Sequence, residues 1–87
     1  MANSRFAELK RGDIVRVQQS NPVRREYEAV VDHKNSINQP YVIPLTGNIT
    51  GLQPKYLWDE TFQILLPEQM GEPLFRAYKE WQSRQKD

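Results

Sequence analysis

Residues 26–32 read Glu26-Tyr27-Glu28-Ala29-Val30-Val31-Asp32. Successive side chains of an extended chain point to opposite faces. Tyr27, Ala29 and Val31 therefore share one face, and Glu26, Glu28, Val30 and Asp32 share the other. An apolar face backed by a mostly polar one is the pattern of a strand in an antiparallel sheet with one side on a core. Upstream, Gly12-Asp13 is a turn signal. Ile14–Gln19 then repeats the alternation, with Val15 and Val17 on one face and Arg16 and Gln18 on the other. Leu9 is placed to fold over one end of the core. The stretch between the two strands, from Ser20-Asn21-Pro22 through Arg24 and Arg25, reads as a loop.

Downstream of Asp32, residues 33–40 are polar and read as an exposed loop. Residues 41–46 form the third expected strand, apolar on both faces and interrupted by Pro44. Proline cannot donate to a sheet ladder, so this strand is an edge or is bulged there. Residues 47–54 read as a long loop, Tyr56-Leu57-Trp58 as a short strand or a single helical turn, and residues 61–66 as the last strand, with Phe62, Ile64 and Leu66 on one side.

Glycine and proline recur up to Pro73 and then stop. Pro73 suits the first turn of a helix, where its missing N–H has no intrahelical partner, and Gly71 or Glu72 would cap it. Leu74, Tyr78 and Trp81 fall on one stripe of that helix, flanked by Phe75 and Ala77, opposite Arg76, Lys79, Glu80, Ser83 and Arg84. Glu72–Arg76 and Glu80–Arg84 stand at i,i+4, each pair stabilising the helix by a few tenths of a kcal/mol.

The expected fold is mainly β: about five short antiparallel strands curled into a small barrel over residues 1–66, a linker at 67–72 and an amphipathic helix at 73–86, all one compact domain. A lone helix of about 14 residues is marginal in water. Its apolar stripe must be covered, either by this chain's own barrel or by another molecule.

Composition narrows the chemistry. Eighty-seven residues make one domain, and 38% hydrophobic with 26% charged residues is a globular balance. No apolar run approaches the roughly 18 residues of a membrane span. Met1 to Phe6 lacks the apolar centre of a signal peptide, so a cytoplasmic protein is expected. With no cysteine and a single histidine, thiolate zinc sites, cysteine nucleophiles and sites needing two imidazoles are excluded. No metal site, no glycine-rich phosphate loop and no cofactor are expected. Twelve Lys+Arg against eleven Asp+Glu give a net charge of +1, small for a duplex-DNA binder. The local basic clusters are Lys10-Arg11 and Arg24-Arg25, with Arg16 joining them if the strands bring these segments together.

Asp32 and His33 have the residue types of an orienter and a base. Neighbours on a regular strand point to opposite faces, however, so they are not expected to hydrogen-bond, and His33 is expected on the surface. The carboxylate pairs Asp59-Glu60 and Glu26/Glu28 are read as solvated.

One ordered set of motifs goes further. Arg11-Gly12-Asp13-Ile14-Val15 opens a strand, an arginine-containing loop follows, and Glu28-Ala29-Val30-Val31 forms the next strand. Then come Tyr41-Val42-Ile43-Pro44-Leu45-Thr46 and Ile49-Thr50-Gly51. Over residues 11–51 this resembles the MazF/PemK family of toxin endoribonucleases. The resemblance implies an SH3-like small barrel, a homodimer, and metal-independent cleavage of single-stranded RNA. It also implies that Arg24 or Arg25 stabilises charge at the phosphate and that Thr46 supplies a hydroxyl there. A guanidinium fork and a hydroxyl donor both suit a phosphoryl group.

Two functions are therefore expected. The first is a non-enzymatic binding or regulatory module whose partner is a protein, or a larger complex, or a nucleic-acid segment. Its candidate contact residues are Arg16, Arg24, Arg25, Tyr41, Tyr56, Trp58, Phe75, Tyr78 and Trp81, since aromatic and arginine side chains dominate interface energetics. Of the aromatic residues, Trp58 and Phe62 are read first as core filling. The second function is the ribonuclease, with Arg24, Arg25 and Thr46 as its catalytic residues.

Overall fold

The computed structural model describes residues 4–20, 23–58 and 60–85. The N-terminal residues read for a signal peptide (in part), the Asn21-Pro22 loop signal, Asp59 of the carboxylate pair and the helix's expected last residue lie outside them. Five strands form one antiparallel sheet: β1 (Ile14–Gln19), β2 (Arg25–Lys34), β3 (Pro40–Gly47), β4 (Lys55–Tyr56) and β5 (Thr61–Leu65). Their order is β4-β3-β2-β1-β5, and one helix, α1 (Glu72–Arg84), follows. The mainly β class, the strand count and the C-terminal helix agree with expectation. The closed barrel does not: β4 and β5 are the two edges of an open sheet. Two-residue β4 pairs only through Tyr41↔Tyr56 and Val42↔Lys55, too short a strand to carry the ladder round.

An open sheet has two faces to cover, and two different segments cover them. On the first face, Val15, Val17, Tyr27, Ala29, Val31, Val42 and Phe62 pack beneath Phe6 and Leu9 from the N-terminal segment, and beneath Leu57. Phe6 stacks on Phe62 at 5.8 Å between ring centroids. Each fully buried aliphatic side chain here contributes about 1.5–3 kcal/mol. On the second face, Ile14, Val30 and Leu65 meet Leu74 and Trp81 of α1. The helix stripe is thus covered by the chain's own sheet. Tyr78 is half-buried beside it, and Phe75, at the stripe's margin, stays exposed.

Trp58 corrects another expectation. It is 44% exposed, while Leu57 fills the core in its place. The Leu57 N–H donates to the Pro40 carbonyl at 3.0 Å, and alternation then turns Tyr56 and Trp58 away from the first face. Phe62 is buried as expected. Pro44 lies at a register shift between Glu28 and Ala29, and β4 pairs with β3 only at Tyr41 and Val42. Its missing N–H costs no ladder bond there.

The strand β2 runs to Lys34, two residues beyond its expected end, so His33 belongs to the sheet and the loop shrinks to 35–39. Asn35 closes that loop, its Oδ1 accepting from the backbone N–H groups of Ile37 and Gln39.

Tyr27 has a cost attached to its position. Its ring is fully buried, and its hydroxyl has no hydrogen-bond partner among the described residues. Burial, with Glu60 adding and Arg25 opposing, pushes the phenol from 10.0 up to about 12. The unfolded chain therefore ionises first as pH rises. The stability this neutral phenol confers is present below 10.0 and lost by about 12. At about 1.4 kcal/mol per unit, that loss is about 3 kcal/mol. Tyr27→Phe is expected to raise stability at neutral pH by about 1 kcal/mol or more, by removing an unsatisfied hydroxyl. It should also flatten the alkaline fall. Urea unfolding of both proteins from about pH 9 to about pH 12 checks both parts.

Candidate functional site

The second irregularity of β2 builds the site. Register slips between Val31 and His33, so Asp32 is the extra residue of a bulge. The bulge breaks strict alternation and brings two neighbouring side chains together. The His33 Nδ1–H donates to Asp32 Oδ2 at 2.7 Å, a bond the regular-strand reading had excluded. Asp32 Oδ1 accepts from the Trp81 indole N–H at 3.2 Å. With both carboxylate oxygens used, the imidazole turns its Nε2 outward, 3.1 Å from the Tyr56 hydroxyl oxygen.

Aromatic packing fixes the ring plane. His33 stacks on Tyr41 at 4.8 Å, and Tyr41 lies 4.9 Å from Tyr56, so three side chains of β2, β3 and β4 form one row. Behind them, the Arg11 guanidinium sits 6.0 Å from the Trp81 ring and bonds to Gln85. The His33 hydrogen bond, first, then the indole N–H and Arg11 hold the Asp32 carboxyl below the usual carboxylate range, against the opposing effect of burial. The carboxylate is thereby kept ionised, the state needed to accept from both donors.

The other expected contact residues are dispersed. Phe75 and Tyr78 line an apolar groove of about 300 Å³ between β5 and α1, with Ile64, Leu65, Leu66 and Met70. Leu66 and Phe75 there are 53% and 46% exposed. Arg24 and Arg25 line a polar pocket of about 290 Å³ with Gln18, Gln19, Ser20 and Thr61. Thr46 is not in it. Its hydroxyl donates to Glu28 Oε1 at 2.7 Å, on the face covered by α1, whereas Arg25 shares its face with Tyr27. Arg16 joins that Glu28 pairing at 3.1 Å and not the Arg24-Arg25 cluster.

Two carboxylates expected in solvent are paired instead. Glu28 is held by Arg16 and Thr46. Glu60 bonds to Lys55 at 2.7 Å and to the Trp58 N–H. Burial pushes the Glu60 carboxyl up, but Lys55 and the Trp58 N–H outweigh it and hold it below the usual value. Among the described residues no group of three or more acidic or histidine side chains is placed to hold a metal, and no helix is long and apolar enough to cross a membrane.

Of the row and its supports, Tyr41, Tyr56 and Trp81 were legible from the sequence. The Asp32–His33 pairing is not legible there, because no residue type in Val30-Val31-Asp32-His33 announces the bulge that produces it. The fold and sites define a small antiparallel sheet domain with a docked C-terminal helix. No protein-family model, curated protein or solved structure matches the chain.

Proposed function

We propose that this chain is a small binding module that receives an apolar segment of a partner protein in the groove between β5 and α1. The observation that carries the reading is the groove itself: Leu66 and Phe75 stand exposed on its rim above Leu65, Met70 and Tyr78. Large exposed apolar side chains gathered round a concavity are what interfaces use. The β5 strand is a sheet edge, so extended backbone can also be met there by main-chain hydrogen bonding. The ribonuclease reading draws its support from the Arg24-Arg25 pocket alone, since Thr46 bonds to Glu28 on the other face.

Affinity capture from the native host, with and without nuclease, tests the proposal on wild type and on Phe75→Glu and Leu66→Glu. Both positions are exposed, so the variants keep the fold. A nuclease-resistant protein partner that both variants lose is the expected result. Capture that nuclease abolishes, or that neither variant weakens, overturns it.

A further inference from the structure

The row described above has a capability that binding does not use. We propose that Tyr56 is a nucleophile primed for acyl transfer, with His33 as its general base and Asp32 as a positioning residue. Asp32 accepts from Nδ1–H at 2.7 Å, which fixes the tautomer. In the neutral imidazole Nε2 is then the acceptor, and it lies 3.1 Å from the phenolic oxygen, within the reach a general base needs. A nucleophile bonded to a base that a third group orients is the arrangement that activates hydroxyl nucleophiles. The ring cannot turn away freely, since Tyr41 stacks on it and Trp81 secures the second carboxylate oxygen. Tyr56 is 41% exposed, so its oxygen is open to a donor arriving from solvent.

The ligand class is an activated acyl donor, such as an aryl ester or a thioester. The Tyr56 oxygen attacks the carbonyl carbon and a new C–O bond forms. The phenolic proton passes to His33 Nε2. The bond from carbon to the leaving group breaks, the leaving group departs with its electron pair, and His33 returns the proton to it. The product is a tyrosyl ester and the free leaving group, with no change in oxidation state.

The probe is 4-nitrophenyl acetate, read by nitrophenolate release and by tandem mass spectrometry of the acetylated peptide. Stoichiometric release with the acetyl group on Tyr56 is expected, and Tyr56→Phe should lose that release. His33→Gln should slow Tyr56 acetylation about 100-fold, the lower end of a general base's contribution. Asp32→Asn keeps an oxygen for the indole but presents N–H to Nδ1, inverting the tautomer, and should slow it comparably. Circular dichroism confirms that each variant is folded. Unchanged release from Tyr56→Phe, acetyl groups only on lysine or on His33, or equal Tyr56 rates in wild type and folded His33→Gln would each overturn the assignment. None of these outcomes bears on the groove, so the two readings fail separately.

Discussion

Trp81→Ala is expected to destabilise the fold by about 3–5 kcal/mol, the range for deleting a buried large aromatic side chain. A domain of 87 residues holds roughly 4–13 kcal/mol in total, so the variant is expected to lose much of its cooperative unfolding transition. The loss has several sources. Trp81 is 8% exposed and packs in one cluster with Ile14, Val30, Leu65 and Leu74. Its ring stacks on Tyr78 at 6.1 Å, and its N–H is a bond that Asp32 would lose. Phe75→Ala on the same helix, at an exposed position, should stay within about 0.5 kcal/mol of wild type, and changes at His33 should cost far less than Trp81→Ala. Urea midpoints for Trp81→Ala and Phe75→Ala that coincide would contradict the docking role of the stripe.

Gly47→Ala is the second large effect. Gly47 has φ +98°, and a Cβ built on it would lie 2.7 Å from Tyr27 Cα and 3.1 Å from the Glu26 carbonyl. Those are backbone atoms of the neighbouring strand, paired in register with Gly47, and cannot rotate aside. Overpacking at about 1–3 kcal/mol adds to about 1–2 kcal/mol for a non-glycine residue on this side of φ. The expected loss is about 2–5 kcal/mol. Gly12→Ala separates the two causes, because Gly12 has φ +93° but open space around the added carbon. It should lose only the conformational part. Equal unfolding midpoints for the two alanine variants would show that the close approach to β2 does not matter.

What the sequence made legible followed from period. Alternation gave β1 to the residue, since Val15 and Val17 need one face and Arg16 and Gln18 the other. Helical spacing found α1, with Gly71 as its N-cap and Glu80–Arg84 paired at 2.9 Å. What stayed hidden depends on breaks in period or on contacts distant in sequence. Phe6 and Leu57 lie in short segments too brief to show a period, and only the assembled sheet reveals that they cover its first face. The Arg25–Thr46 separation is a matter of parity: register places Glu28 opposite Thr46 and Tyr27 opposite Gly47, a pairing unknowable before the strands align. Of the candidate site, the aromatic members were readable as types, but the Asp32–His33 pairing arises from one inserted residue.

That inserted residue ties together two parts of the molecule that the chain order keeps 48 residues apart. One oxygen of Asp32 moors the tail through Trp81, and the other holds His33 in place. Lifting the tail from the sheet would therefore loosen the imidazole as well, so the seating of α1 on the second face also steadies His33 at the far end of β2.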